Sequence, residues 1–315
     1  MTAGGKKTVG VVGARGYVGA ELLRLLAKHP GFSVDVVTST QAEGKRVSDV
    51  IEGVELDLEF TAPDASAIAK RDLDVVFLGL PNGEAAPWSG ALADARAIVI
   101  DLSSDHRFDP SWTYGQPERH RERIRAAKRI ANPGCYATAT QLAIDPIRDL
   151  GVGFVAFGVS GYSGAGSTPS PKNDPAVLKD NLLPYALTDH THEHELRRQL
   201  EIDARFLPHV APFFRGITVT TSFSFRARIA REALWARYTE RYAHEALVVL
   251  SDDAPLVRDI AFSHEVRIGG LSLSENGLHG AVVSTIDNLL GGAATQALRN
   301  ANLATAQDEL AGIRS

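Results

Sequence analysis

The segment KKTVGVVGARGYVGAELLRLLAKHP, residues 6–30, constrains the fold more than any other. Val9, Val11 and Val12 make a β-branched run. Gly13, Gly16 and Gly19 follow at intervals of three. Leu22, Leu23, Leu25 and Leu26 then lay an apolar stripe along a helix that Pro30 and Gly31 end. The segment reads as strand, glycine turn and helix. Further apolar runs, FSVDVVTST, LDVVFLGLP and RAIVIDLS, alternate with helical or loop segments. This pattern predicts a doubly wound parallel sheet.

The turn GARGYVG also has a chemical reading. Glycines let backbone N–H groups approach a pyrophosphate, and a helix N-terminus adds partial positive charge. The spacing is GxxGxxG, and its place between strand and helix marks a dinucleotide site. A bare strand–helix turn is the plain alternative. The second strand ends in Thr38, Ser39 and Thr40 without the carboxylate that holds a ribose 2′-OH. Hydroxyls there, with Lys45 and Arg46 beyond, suit a 2′-phosphate and hence NADP. Lys45 and Arg46 are equally readable as solvated loop charges.

Beyond residue 134 the pattern changes. GVGFVAFGVSGYSGAG, GITVTTSFSFRARI, HEVRIGGLSLS and GAVVSTIDNLL read as longer, partly alternating strands of a mixed or antiparallel sheet. The expected organisation is a dinucleotide-binding domain over 1–134, a substrate domain over 135–291, and a C-terminal helix over 292–315 packing back on the first. Residues 160–190 read as a long loop, and such loops are usually functional.

Cys135 is the only cysteine. It follows Asn132, Pro133 and Gly134 and opens the helical run CYATATQLAI. Free N–H groups and the helix dipole favour a thiolate at that position, and the same N–H groups suit an oxyanion. A buried structural thiol is the alternative. A thiolate beside a nicotinamide points to chemistry that links an acyl phosphate to an aldehyde through a thioester. One cysteine makes no internal disulfide, so a reducing compartment, the cytoplasm, is expected. The first residues do not read as a signal peptide, since glycines, Arg15 and Glu21 break the apolar run. No uncharged apolar stretch approaches ~18 residues, so no membrane span is expected. The net charge of −5, with both signs scattered, offers no broad field for nucleic acid.

TDHTHEHELRRQL holds His190, His192 and His194 with Glu193 and Glu195. Acid–base chemistry and a solvated capping run are both consistent with it. Metal binding is not favoured, because further ligands are missing nearby. Arg107 in LSSDHRF and Arg215 in PFFRGI lie beside apolar residues, where either an anion contact or a salt bridge would satisfy them.

Taken together, GARGYVGAEL, LSSDHRF, NPGCYAT, SGYSGAG, HTHEHE, PHVAPFFRGI and GGAATQA recur in this order in the N-acetyl-γ-glutamyl-phosphate reductases, which the chain resembles over nearly its whole length. It is most like the short versions in xanthomonad-type bacteria. The resemblance implies a Rossmann-type domain plus a mixed-sheet catalytic and dimerisation domain, as in the semialdehyde dehydrogenases. It implies NADPH-dependent reduction of N-acetylglutamyl 5-phosphate to the 5-semialdehyde, in arginine biosynthesis, by a homo-oligomer (a dimer or tetramer). It assigns Cys135 as nucleophile and His190 as acid–base group. Cofactor positions are Gly13, Ala14, Arg15, Gly16, Tyr17, Val18, Gly19, Ser39, Ser163, Gly164, Ala165, Gly166 and Asn288, with Asn300 the other choice near the nicotinamide. Substrate positions are Arg107, Asn132, His192, Glu195 and Arg215. Many relatives carry Arg where Thr40 stands, Arg where Thr191 stands and Pro where His194 stands. A sister acyl-phosphate reductase, for aspartate or aminoadipate semialdehyde, is the runner-up. A non-catalytic NADP sensor and a cysteine hydrolase are the readings from other classes.

Overall fold

The valine-rich runs at the N-terminus do form strands. A computed structural model describes residues 5–313, which divide into two compact units, one of residues up to 134 with those from 293 on, the other of 135–292.

In the first unit β1 (Lys7–Val12) leads into α1 (Tyr17–Ala27), followed by β2 (Phe32–Thr38), α2 (Val47–Val50), β3 (Phe60–Thr61), α3 (Ala65–Ala69), β4 (Val75–Leu78), α4 (Ala86–Ala91), β5 (Ile98–Asp101), β6 (Thr113–Tyr114), α5 (Pro117–Arg125) and β7 (Arg129–Ala131). All pairs are parallel, in the order β3-β2-β1-β4-β5-β7-β6. Val9, Val12, Val75, Val76 and Val99 are completely buried, as strands covered on both faces require. The chain leaves β1 for β2 on one side and returns to β4 on the other. In doubly wound sheets ligands bind at that switch point, outside the carboxyl ends of the strands. Of the leucines expected to form the α1 stripe, Leu22, Leu23 and Leu26 are buried, while Leu25 is only half-buried.

The second unit opens with α6 (Cys135–Ile144). It continues through β8 (Gly151–Gly161), α7 (Pro175–Leu178), β9 (Leu183–Pro184), α8 (Thr191–Leu200), β10 (Ala204–Ala211), β11 (Ile217–Phe225), α9 (Arg231–Tyr242), β12 (Val248–Ser251), β13 (Val266–Leu273) and β14 (His279–Ile286). Its sheet runs β12-β13-β14-β11-β8-β10-β9. It is mixed: β8 pairs parallel with β10 and antiparallel with β11, and β12 with β13 is parallel. Alternate residues of β8 and β11 turn inward. Phe154, Val219 and Phe223 join Tyr136, Leu142, Phe206 and Tyr238 in one core. The other face is left open, with Val155 and Phe157 37% and 39% exposed.

The segment from 160 to 190 is less irregular than its composition predicts. A 3-10 turn spans Tyr162–Ala165. The Asp174 side chain caps α7, whose first residue is Pro175, a favoured pairing. Leu183 and Pro184 pair with Val210 and His209.

Helix α10 (Thr295–Ala304) returns the chain to the first unit and is shorter than the run 292–315. A π-turn at Leu290–Ala294 precedes it. Ala306, at φ 59°, breaks it, and the Gln307 N–H donates to the Asn302 carbonyl at 2.8 Å, closing the end. Residues 314 and 315 lie outside the described residues. Arg299 of α10 pairs with Glu118 and Glu309, both at 2.6 Å, and Arg121 pairs with Glu309 at 2.6 Å.

Candidate active site

Three backbone features build the glycine turn of the first unit. Gly13 has φ 71°, a left-handed value that costs other residues energy. A Cβ there would lie 2.3 Å from the Gly79 carbonyl oxygen. A Cβ on Gly19 would lie 2.7 Å from Ala14 Cα, so α1 reaches its closeness to the turn only with glycine. Gly16 caps α1 without a side chain, so nothing of its own covers the helix N-terminus. The turn is pinned to the next strand. Gly13 N–H donates to Thr38 Oγ1 at 3.3 Å and Ala14 N–H to the Thr38 carbonyl at 3.1 Å. Ala14 is buried, Tyr17 and Val18 are half-buried on the first turn of α1, and Arg15 is exposed, donating to Gln41 Oε1. Ser39 is nearly buried. A helix start without a side-chain cap is chemically suited to a phosphate group.

The same unit holds a polar network that the sequence reading missed. Asp101, fully buried at the end of β5, accepts from Ser103 N–H and Oγ–H and lies 2.6 Å from His106 Nδ1. His106 Nε2 is 3.0 Å from Ser89 Oγ, and the ring stacks 4.0 Å from Trp112. The neighbouring Arg107 donates to the carbonyls of Asn132 and Leu102 at 2.9 and 3.3 Å. Asn132 Oδ1 accepts from Asn300 Nδ2 at 3.0 Å, and Asn300 also donates to the Gly115 carbonyl. Asn300 is therefore a buried brace of this unit. The only prior signal for the network was an aspartate closing a strand, with a histidine five residues on.

In the second unit Cys135 is the first residue of α6 and is half-buried. The chain from β14 crosses directly over it: a Cβ on Gly292 would stand 2.6 Å from Cys135 Cβ. Two phenols adjoin the thiol. Burial, then the charges of Tyr185 and Cys135, hold the Tyr136 hydroxyl well above its ordinary pKa, and burial, then Cys135, raises that of Tyr185. Both are neutral donors at physiological pH, and Tyr136 donates to the His209 carbonyl at 2.7 Å.

The histidine run starts α8 in a revealing way. His190 is the N-cap, its Nδ1 accepting from His192 N–H at 3.1 Å. An acceptor Nδ1 places the proton of the neutral ring on Nε2. The His190 ring is 5.6 Å from Tyr185 and 4.7 Å from His192, and His192 is 5.8 Å from Tyr136. His192 Nε2 stands 3.9 Å from the fully buried Glu195, too long for a hydrogen bond but close enough for charge pairing. Glu193 is structural, accepting from Phe206 N–H at 2.9 Å and pairing with Arg197 at 2.8 Å. Among the described residues no group of three or more His, Cys, Asp or Glu is arranged to hold a metal ion.

A second cluster surrounds the turn after β14. Asn288 donates to Ser163 Oγ at 2.9 Å and accepts from Gly216 N–H at 2.8 Å. This fixes the loop of Ser163, Gly164, Ala165 and Gly166, in which Gly166 has φ 77°. Arg215, buried, grips Asp287 through Nε at 2.7 Å and Nη2 at 3.0 Å, and the Phe262 ring lies 4.1 Å away. The salt-bridge reading of Arg215 is thus realised. The structure gathers His190, His192 and Glu195 with Tyr136 and Tyr185, the two phenols that feel the charge of Cys135, and groups Ser163, Asn288 and Arg215 around Gly216 and Asp287. Gly13 to Gly19, Ser39, Arg107 and Asn132 belong to the first unit.

Residues 8–127 match the family model of the semialdehyde dehydrogenase NAD binding domain, and residues 135–288 that of the semialdehyde dehydrogenase dimerisation domain. An N-acetyl-gamma-glutamyl-phosphate reductase of Xanthomonas campestris pv. campestris (strain B100) is 51% identical over 309 residues, covering 97% of this chain and 98% of that protein. One from Xylella fastidiosa (strain 9a5c) is 50% identical over 310 residues, covering 97% and 93%. Among solved structures, aspartate semialdehyde dehydrogenase II complexed with ASA from Vibrio cholerae superposes with TM-score 0.78 at 21% identity, covering 96% of this chain and 99% of that one. Aspartate semialdehyde dehydrogenase with NADP from Candida albicans gives 0.74 at 19%, covering 95% and 99%.

Proposed function

Given that this chain belongs to the N-acetyl-γ-glutamyl-phosphate reductases, acyl-phosphate reductases of the semialdehyde dehydrogenase family, we propose that it reduces N-acetylglutamyl 5-phosphate with NADPH through a thioester on Cys135. The carrying observation is the thiol at the first position of α6, flanked by two neutral phenols and the start of α8. The thiolate adds to the acyl carbon, and collapse of the adduct expels phosphate. Bound NADPH supplies the hydride. His190, its Nδ1 kept as an acceptor by the helix cap, donates Nε2–H as a hydrogen bond to the hemithioacetal oxyanion, whose collapse breaks the C–S bond and releases the aldehyde and the Cys135 thiolate. His192 and Glu195 orient the substrate. Arg215 acts by holding Asp287, and so the turn that leads to Gly292 over the thiol.

The glycine turn receives the pyrophosphate, with Ser39 beside the ribose. In the second unit Asn288 holds the loop of Ser163, Gly164, Ala165 and Gly166 in place. The open sheet face around Val155 and Phe157 makes a homo-oligomeric contact, a role supported by the dimerisation family model. The lone thiol suits the cytoplasm. Among the described residues no helix is long and apolar enough to cross a membrane.

The test is NADP⁺ reduction, followed by absorbance, with N-acetylglutamate 5-semialdehyde and phosphate, repeated with aspartate semialdehyde. Turnover of the acetylated substrate alone is expected. Preference for aspartate semialdehyde would overturn the substrate assignment.

A further inference from the structure

Coenzyme choice in a doubly wound sheet is made where the second strand ends beside the first turn. Here β1 and β2 are parallel neighbours, so the residues after Thr38 lie along the same edge as Gly13 to Gly16. Residues 38–42 are Thr, Ser, Thr, Gln and Ala, with no carboxylate to hold a 2′-hydroxyl. The first acid, Glu43, lies in the turn closed by the Lys45 N–H to Ala42 carbonyl bond.

The hydroxyls are not equally available. Thr38 is fully buried and its Oγ1 is taken by Gly13 N–H. Ser39 is nearly buried, its backbone N–H donating to the Thr61 carbonyl. Thr40 and Gln41 are exposed, and across from them Arg15 donates Nη1 to Gln41 Oε1. Gln41 takes one of the five N–H donors of a guanidinium and thereby fixes its position. Lys45 closes that turn and Arg46 follows it, their backbone tied to Phe60 and Glu59.

We propose that Arg15, steadied by Gln41, reads the 2′-phosphate of the coenzyme, and that Lys45 and Arg46 do not. The planar guanidinium matches a phosphate bidentately, and its carrier is the glycine turn itself, so the group that reads the phosphate moves with the pyrophosphate cradle. Thr40 adds an exposed hydroxyl beside it. The assignment rests on the NADP reading above but not on the identity of the acyl substrate.

Calorimetry of the full chain with adenosine 2′,5′-bisphosphate and with ADP tests it without turnover. The unchanged protein should bind the bisphosphate more tightly. Arg15→Ala should lose ~10- to ~100-fold for the bisphosphate, the usual range for one charge-assisted contact, and hold ADP within about twofold. Gln41→Ala should show a smaller loss of the same selectivity. The pair Lys45→Ala with Arg46→Ala should change neither ligand by more than about twofold. Arg15 is exposed, so its replacement leaves the fold intact. Equal loss for both ligands would put Arg15 on the shared part of the nucleotide and overturn the proposal. So would no loss at all, or a loss carried by Lys45 and Arg46. Failure to oxidise N-acetylglutamate semialdehyde would sink the proposed reaction and leave these binding constants standing.

Discussion

The glycine turn of the first unit and the thiol cluster of the second solve their tasks with different materials. The turn is made of backbone, and its essential residues lie within Gly13 to Gly19, joined by one neighbour, Thr38. The thiol cluster is made of side chains drawn from residues 135, 136, 185, 190 and 192, with Gly292 packed against Cys135. A backbone site depends on conformations only glycine adopts, so it fails through strain. A side-chain site depends on chemistry and on rings held by a shared core, so it fails through lost reactivity while the fold survives. The contrast predicts how substitutions in each unit should behave.

The largest effect belongs to the side-chain site. Cys135→Ser should lower kcat by at least ~10³-fold, because a hydroxyl is far less ionised than a thiol at neutral pH, while coenzyme binding stays unchanged. Retention of even about a tenth of the rate would mean that Cys135 is not the nucleophile.

Next comes His190→Asn, expected to cost ~10²- to ~10⁴-fold in kcat with little change in KM for the coenzyme. Asparagine is as good an N-cap as any residue, so α8 should persist and the loss report chemistry. If His192→Asn shows that loss and His190→Asn stays near the unchanged protein, the roles are exchanged.

Asp287→Ala tests whether the second unit has a structural weak point. It leaves Arg215 buried without its carboxylate and frees the N–H groups of Phe262, Leu289 and Leu290. A loss of about 3–5 kcal/mol in unfolding free energy is expected by denaturant titration. A loss under about 1 kcal/mol, the worth of an exposed pair, would show that the pair is not what holds this turn.

Gly13→Ala is the counterpart in the first unit. Positive φ and the approach to the Gly79 carbonyl predict a stability loss of roughly 1–3 kcal/mol together with weaker nucleotide binding. Full stability with unchanged binding would show that the turn tolerates a side chain.

Glu309 carries the smallest expected effect. Burial works against its charge, but hydrogen bonds and charge from Arg121 and Arg299 prevail and hold its carboxyl below the usual glutamate value. A depressed native pKa contributes stability above the unfolded value of about 4.3, lost as pH falls through the native one. Glu309→Gln should cost about 1 kcal/mol at neutral pH, since the group is partly exposed, and should flatten the acid-side fall of Tm. An unchanged acid limb would remove Glu309 from that role.

Local order explains what was readable in advance. The parallel sheet followed from Val9 to Val12 and the later apolar runs, because strands buried on both faces write continuous hydrophobic stretches into the chain. The mixed sheet followed from alternation, which β8 and β11 show plainly. The end of α10 was misjudged. Its composition stays helix-compatible through Leu310, but Ala306 adopts a left-handed conformation stabilised by the Gln307 contact. The cap at Asp174 and the pairing of Leu183 were hidden in what read as loop.

What this sequence determines by itself is whatever adjacent residues settle through backbone sterics and periodicity: the glycine turn, the thiol at a helix start, and histidines at the opening of α8. Tertiary structure alone decided which groups meet. It gave Arg215 to Asp287 and Asn288 to Ser163, 72 and 125 residues apart. It set Tyr185 beside the thiol, and it turned the Nδ1 of His190 into a cap. Those pairings depend on the position of each element around a shared core. A side chain's reach is a few ångströms, whereas the spacing of such residues along the chain says nothing of their distance in space.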